Sequence, residues 1–294
     1  VPIMVGTVAV VANPRSGRGR GGRIAGPVRD ALARTGLDVA VLAGESGAES
    51  TALAAAAVAD GVHAVVAVGG DGLVHCVVQA LAGTGVPLGI VPAGGGNDLA
   101  GELGLPPDPA AAVAVIAAGR TREIDLGRTD TGRWWAGVLN AGFDSQVVAR
   151  AERMRRPRGP LRYDVAAYLE IAHLRHHLMT ITLDGVVHEQ PVTLVAVGNS
   201  PRYGGGMRIA PGADLDDGVF DVVVADAMTR RTLARLKPLV RAGAHVRHGQ
   251  VTVHRATTVT LAAPHLPAYA DGEPLGLLPL TTTCVRRALR VLVP

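Results

Sequence analysis

The run Val62–Val68 is apolar from end to end of a strand's length and stops on the glycines of Gly69-Gly70-Asp71-Gly72. A helical pattern, about Leu73 to Leu81, follows directly. An apolar run of that length, uninterrupted by alternation, is what a strand covered on both faces requires. A strand that opens through glycine into a helix commits the chain to a βα unit. The unit recurs: a strand at Pro87–Val91 leads through Ala93-Gly94-Gly95-Gly96-Asn97 to a helix around Asp98–Leu103. Upstream, Thr7–Ala12 and Leu37–Leu42 read as strands, and Arg23–Arg34 and Ser50–Ala59 as helices; Pro109–Ala118 is a further helix. This alternation predicts a parallel sheet with helices on both faces.

After Ile124-Asp125-Leu126-Gly127 the pattern changes. Strand-like segments dominate: Trp134–Asn140, Met179–Leu183, Val192–Val197, Val219–Val224, Thr252–Val253 and Thr258–Leu261. Helical spacing is confined to Ser145–Arg156, Asp164–His177 and Thr232–Ala242. The expected organisation is an α/β domain over 1–127 and a mainly antiparallel β domain over 128–294. The final strand-like stretch, Ala288–Val293, fits either. At 294 residues the chain is long enough for two cores, and 48% hydrophobic against 18% charged residues is a globular balance.

Net charge is +4, with 29 Lys and Arg against 25 Asp and Glu. This favours acidic partners: nucleic acid, an anionic membrane or a phosphate-bearing ligand. Two Phe, two Trp and four Tyr leave little to stack on bases, so nucleic acid is set aside. Cys76 and Cys284 have no metal-like spacing and suggest a reduced, cytoplasmic setting. Val1–Ala12 lacks a basic start and reads as a buried strand rather than a signal peptide.

Glycines at the end of a buried strand let backbone approach a phosphate, and a helix N-terminus supplies N–H groups and a favourable dipole. Asp71 within such a turn would repel phosphate unless a cation lay between them, which points to a magnesium–nucleotide site. The plainer alternative is a tight turn with a polar tip. Two such turns at the carboxyl edge of one parallel sheet strengthen the phosphate reading. Gly17-Arg18-Gly19-Arg20-Gly21-Gly22 satisfies G-x-G-x-x-G, yet Asn13-Pro14-Arg15-Ser16 separates it from the strand, so it reads as a flexible basic phosphate-facing loop. In the second half, Asp271 and Glu273 would point the same way in an extended segment and could converge about Gly272, as a base and its partner do; a solvated turn is the alternative. Asp214-Leu215-Asp216-Asp217-Gly218 has a hard-cation oxygen density without the length of an EF-hand loop. His173, His176 and His177 would share a helix as candidate metal ligands, without the glutamate a zinc-protease helix carries. Between Arg150 and Arg162 six arginines face one glutamate, either a solvated face or a contact for anionic headgroups.

Taken together these segments resemble the diacylglycerol kinase catalytic family, which includes bacterial lipid kinases and sphingosine kinases. The landmarks run in family order: Asn13-Pro14…Ser16-Gly17, Gly69–Gly72, Pro92…Gly94…Gly96-Asn97-Asp98, Ile124–Gly127, Asn140…Gly142-Phe143-Asp144, Gly198-Asn199, Asp216-Asp217-Gly218 and Asp271-Gly272-Glu273. The resemblance implies a phosphofructokinase-like parallel-sheet domain and a C-terminal antiparallel β-sandwich domain with the active site in a cleft. It implies a lipid substrate at the membrane surface, with ATP and magnesium as co-substrate and cofactor. Asn13, Gly69, Gly70, Asp71, Gly72, Gly94, Gly95, Gly96 and Asn97 would hold the nucleotide, Asp71 through the magnesium. Asp271 would be the base, supported by Glu273. A second, structural magnesium would use the Asp217 carboxylate and the carbonyls of Asp214 and Val219. Four positions depart from the family pattern: Leu73 and Gly95 replace threonines, Cys76 a glutamate and Gly101 an arginine. Rival readings are an NAD kinase, a binding module without catalysis and, more distantly, a Rossmann oxidoreductase.

Overall fold

A computed structural model describes residues 6–14, 16–157, 159 and 161–294, with no account of the side chains of residues 16–18. The part of the first-strand reading that falls on residues 1–5 lies outside the described residues, as do Arg15, Arg158 and Pro160. The chain divides into two compact units. The first comprises residues up to Leu126 together with Trp134–Ala136 and Val285–Pro294; the second is Gly127–Arg133 with Gly137–Cys284.

The first unit holds β1 (Thr7–Ala12), α1 (Ser16–Ala33), β2 (Asp38–Ala43), α2 (Gly47–Ala59), β3 (Ala64–Gly69), α3 (Asp71–Leu81), β4 (Leu88–Pro92), α4 (Asp98–Glu102) and α5 (Pro109–Ala118). The first six residues of β5 (Thr121–Thr129) and the short β6 (Trp134–Trp135) also belong to it. Strands β2, β1, β3 and β4 lie side by side and parallel, and the last residues of the chain's final strand join β4 at Val291↔Leu88. Every residue of β3 is buried, whereas the edge strand β2 is mostly exposed. Val8, Val10, Val66 and Val68 pack on Val28 and Leu32 of α1 and Val113 and Ile116 of α5. The strand order reverses between β1 and β3, the place where open α/β sheets bind ligands at their carboxyl ends. Helix ends follow local chemistry: Ser46 caps α2 by accepting the Glu49 N–H, and Asp108 caps α5, with Pro109 at its first turn and left-handed Gly119 at its end.

One expectation for this unit is corrected. The glycine-rich segment 17–22 is not a loop: α1 begins at Ser16 and includes it. The helix closes tightly over the turn before it, where a Cβ at Gly22 would stand 3.1 Å from the Pro14 Cα.

The second unit contains β7 (Val138–Gly142), α6 (Phe143–Arg153), α7 (Leu161–Ala172), β8 (His177–Leu183), β9 (Val186–Gly198), β10 (Phe220–Asp226), α8 (Arg230–Leu236), β11 (Val251–Ala256), β12 (Thr258–Ala262), β13 (Pro267–Ala270) and β14 (Glu273–Leu277). The division falls within β5 and within β15 (Leu280–Leu292), so each of these strands contributes residues to both units. Pairing in the second unit is antiparallel. The long β9 organises it: its first half pairs β8, and its second half runs between β7 and β10. Side chains of β7, β9 and β10 are covered by Phe143 and Val147 of α6, Ala166, Ala167 and Ile171 of α7, and Leu233 and Leu236 of α8.

Three helices are shorter than their spacing suggests. α6 stops at Arg153, ahead of Arg156-Pro157, because the residue before proline disfavours the helical region. α8 tightens into a 3₁₀ turn over Lys237–Ala242, where Pro238 cannot donate an N–H. α7 ends at Ala172, and His177 instead opens β8 opposite Val192, so strand pairing overrides helical periodicity.

Candidate active site

In the first unit Asp71 is not inside the turn; it is the first residue of α3, and Gly70 caps the helix without a side chain. Its carboxylate spans the two glycine turns. Oδ2 accepts the Asn97 N–H at 2.7 Å and Oδ1 the Asp98 N–H at 2.8 Å. The start of α4 is therefore capped by Asp71, and the expected pair of helix N-termini reduces to that of α3. Asn97, in the left-handed region at φ 56, folds its side chain back on its own turn. Oδ1 accepts the Gly94 N–H at 2.9 Å and Nδ2 donates to the Gly94 carbonyl at 3.1 Å. The Ala93 N–H also donates to the Gly69 carbonyl at 2.7 Å.

These bonds bring the two turns into backbone contact. A Cβ at Gly70 would lie 2.9 Å from the Gly94 Cα, and one at Gly94 would lie 2.5 Å from the Gly70 Cα. Both glycines are thus required by close approach, while a Cβ at Gly95 or Gly101 would meet nothing. The product is a side-chain-free surface at the end of a buried strand, with a carboxylate beside it. Such a surface of main-chain groups with a carboxylate beside it suits a nucleotide phosphate with its divalent ion. Leu73 is turned into the core, 4% exposed. Asn13 immediately follows β1 at the same carboxyl edge. The landmark Asp125 has a folding role: it is buried in β5, and its Oδ1 accepts the Arg287 N–H at 2.7 Å.

In the second unit Asp271 and Glu273 do not share an extended strand. Asp271-Gly272 is the two-residue turn between β13 and β14, with φ of 54 and 82, and Glu273 pairs with Ala270. Positive φ at both positions is the type I′ geometry, for which Asp-Gly is a favoured pair. The turn is anchored on residues far back in the chain. Asp271 Oδ1 accepts the Gly137 N–H at 2.8 Å, and its own N–H donates to the Val138 carbonyl at 3.2 Å. The Gly137 carbonyl accepts from the N–H groups of Asn199 and Ser200. Gly137 admits no side chain, because a Cβ would stand 2.7 Å from that Asp271 oxygen. The Asp271 turn, Gly137 and Gly198-Asn199 are therefore one cluster.

Gly137 is the position of this cluster that the sequence reading did not single out. Asn140 is 1% exposed on the face shared with Ala196, and its Oδ1 has no hydrogen-bond partner. Beside it in sequence, Asp144 accepts from the Tyr203 hydroxyl, and burial pushes its carboxyl above the usual aspartate range against that bond.

Of the residues expected to hold the second magnesium, Asp217 has its carboxylate engaged within the protein. Asp217 Oδ1 accepts the Val219 N–H at 3.2 Å, and Oδ2 pairs with Arg255 Nη2. The same guanidinium reaches Asp221 at 3.5 Å, whose carboxyl is pushed up by burial and by Asp217 and pulled down by Arg255. Arg255 thus pairs with the carboxylate expected to serve the structural metal. The histidine trio is also dispersed. His173 Nδ1 lies 2.8 Å from the Leu169 carbonyl, His176 Nε2 2.8 Å from that of Met228, and His177 Nε2 3.1 Å from Gln146 Nε2. Among the described residues no group of His, Cys, Asp and Glu is placed to hold a metal by itself.

Comparison with known proteins follows this division. Residues 7–129 match the family described as the diacylglycerol kinase catalytic domain, and residues 137–293 match the YegS C-terminal NAD kinase beta sandwich-like domain. A protein named "Diacylglycerol kinase" from Mycobacterium tuberculosis is 42% identical over 296 residues, covering 99% of this chain and 96% of its own. One from Xanthomonas campestris pv. campestris, named "Probable lipid kinase YegS-like", is 32% identical over 88% of this chain and 87% of its own. The crystal structure of a diacylglycerol kinase from Bacillus anthracis shares the fold, with a TM-score of 0.74 at 19% identity over 98% of this chain and 96% of that one. The chain belongs to the bacterial lipid kinase family that joins a diacylglycerol kinase catalytic domain to a YegS-type β-sandwich-like domain.

Proposed function

We propose that this protein transfers the γ-phosphoryl group of ATP to the hydroxyl of diacylglycerol or a related lipid. The observation that carries the reading is the pair of glycine turns held backbone to backbone by Asp71, which leaves a surface of main-chain groups. Phosphoryl transfer asks for positioning and charge neutralisation more than for covalent help. Gly69–Gly72 and Gly94–Asn97, with Asn13, hold the phosphates, and the dipole of α3 favours their charge. A magnesium ion bound with the nucleotide would screen the Asp71 carboxylate from those phosphates. Asp271 accepts the proton of the attacking lipid hydroxyl, and its anchoring on Gly137 and Val138 fixes the carboxylate before substrate arrives. Glu273 supports the base from the start of β14. The lipid is met at a membrane surface, which agrees with the basic character of residues 150–162.

The test is incubation with labelled ATP, magnesium and mixed lipid vesicles, followed by identification of the labelled product. A phosphorylated lipid is the expected outcome. Labelled NADP from added NAD would instead assign the chain to NAD kinase chemistry. Buried Leu73, standing where the family places a hydroxyl, favours one further reading, a nucleotide-binding module without turnover. Saturable ATP binding with no labelled lipid would select it.

A further inference from the structure

β6 is only Trp134–Trp135, and it pairs with β5. A strand that short keeps its place only if its remaining backbone groups find partners. For Trp134 these come from Gln79, near the end of α3. Gln79 Nε2 donates to the Trp134 carbonyl at 2.7 Å, and its Oε1 accepts the Trp134 N–H at 3.0 Å. One side-chain amide therefore exchanges both bonds with one residue, as a neighbouring strand would. The amide is itself held. Its Nε2 lies 3.2 Å from the His75 carbonyl and 3.3 Å from the His75 ring Nε2, one turn back on the helix. Because Trp134 presents both a donor and an acceptor, only one orientation of the amide serves it.

The strip that begins at Trp134 ends on Asp271. Trp135 is fully buried and Ala136 nearly so. Trp134–Ala136 belongs to the first unit and Gly137 to the second, so the chain passes from one to the other at the Ala136–Gly137 peptide bond. Both polar backbone groups of Gly137 are engaged beyond that bond. Its N–H donates to Asp271 Oδ1 at 2.8 Å, and its carbonyl accepts the N–H groups of Asn199 and Ser200 at 2.9 and 3.0 Å. At the other end, Asp71 opens α3, and Gln79 lies about two turns further along the same helix. A helix, an amide bridge and a buried piece of backbone thus connect the carboxylate of the glycine turns to the carboxylate of the β13–β14 turn. A base that must meet a hydroxyl at hydrogen-bond distance is sensitive to displacements of about 1 Å.

We infer that Gln79 is a positioning residue: by fixing Trp134 it fixes Gly137, and through the Gly137 N–H it sets where the Asp271 carboxylate stands. The consequence for turnover rests on the lipid-kinase reading, but the positioning itself needs no turnover. The experiment compares the wild type with Gln79→Met, which keeps the side-chain length and neither bond, and with Gln79→Glu, which keeps an acceptor for the Trp134 N–H alone. Hydrogen exchange read residue by residue should show the Gly137 amide exchanging at least about tenfold faster in Gln79→Met. The amides of the buried β3 should keep their wild-type protection. The kcat for phosphorylation of diacylglycerol should fall about ten- to hundredfold, while ATP affinity and the KM for ATP stay within about twofold. Gln79→Glu should fall between the two. In an Asp271→Asn background, Gln79→Met should cost less than about a further twofold, because no base remains to misplace.

Unchanged exchange at Gly137 overturns the inference. So does a loss of kcat as large in the Asp271→Asn background as in the wild type, which would make Gln79 a stabilising residue and nothing more. Should Gln79→Met melt too low to assay, Gln79→Glu carries the same comparison. A wild type that phosphorylates no lipid, with faster Gly137 exchange in Gln79→Met, keeps the positioning and sinks the kinase reading. Lipid phosphorylation that Gln79→Met leaves at the wild-type rate does the reverse.

Discussion

Gly94 and Gly95 are neighbours with opposite structural demands. A methyl group at Gly94 would press on the Gly70 backbone, which cannot move without opening the turn, whereas one at Gly95 meets nothing. Gly94→Ala should cost about 1–3 kcal/mol of stability and weaken nucleotide binding. Gly95→Ala should leave the melting temperature close to wild type, and paired thermal melts and ATP titrations read both. Asp71→Asn turns one amide N–H toward a backbone N–H that now donates to a carboxylate oxygen. The cost should be about 1–3 kcal/mol, seen as a lower denaturant midpoint. Asp271→Asn keeps the shape of the turn and an acceptor for Gly137 while removing the base. Transfer should fall by about 10²–10⁴-fold with ATP affinity nearly unchanged; substantial residual turnover would remove Asp271 from the role.

At the level of elements, the β13–β14 hairpin and the Asp214–Val219 loop show how sequence-distant groups set local geometry. The hairpin is a type I′ turn tied to the segment before β7, so the Asp271 carboxylate is positioned by a main chain 134 residues away. The loop is tied to β11 through Arg255, which pairs with both Asp217 and the buried Asp221. Removing that guanidinium leaves two carboxylates facing each other, a repulsion that a divalent cation can relieve. Arg255→Ala should therefore melt at lower temperature and recover on addition of magnesium, while the wild type responds little to magnesium or to chelator in the absence of nucleotide. A wild-type melt that collapses on chelation would return this loop to a metal.

For the whole molecule, the clearest pH dependence comes from histidines held neutral. His245 is buried, with Nε2 3.0 Å from the Ile209 carbonyl and Nδ1 without a partner, and burial lowers its pKa below the ordinary 6.5 against the effect of that bond. Burial, with Arg175 and His176, lowers that of His177 too. Below pH 6.5 the unfolded chain takes up protons that the folded chain refuses, so stability falls as pH falls through 6.5 and is fully present above it. Urea midpoints should be higher at pH 7.5 than at pH 5.5, and His245→Gln should flatten that slope.

The order of elements in the first unit was legible because each rests on local signals: an apolar run for a doubly covered strand, glycine for a turn, and caps at Asp108-Pro109 and Gly119. The same signals marked Gly69–Gly72 and Gly94–Asn97 as a phosphate surface. Local signals failed where a distant partner wins. Helical spacing grouped three histidines that strand pairing at His177 separates, and alternation aligned Asp271 with Glu273 across what is a turn. Gly137 carries no motif, since its need for bareness comes from Asp271. By itself the sequence determined that glycine-ended βα units precede an antiparallel unit, and it pointed to Gly69–Gly72 as the candidate phosphate turn. Only the tertiary structure decided that Asp71 spends its carboxylate joining the two turns and that Arg255 stands on Asp217. Each of these depends on which backbone N–H or charge lies opposite, and that is set by packing rather than by neighbours in the chain.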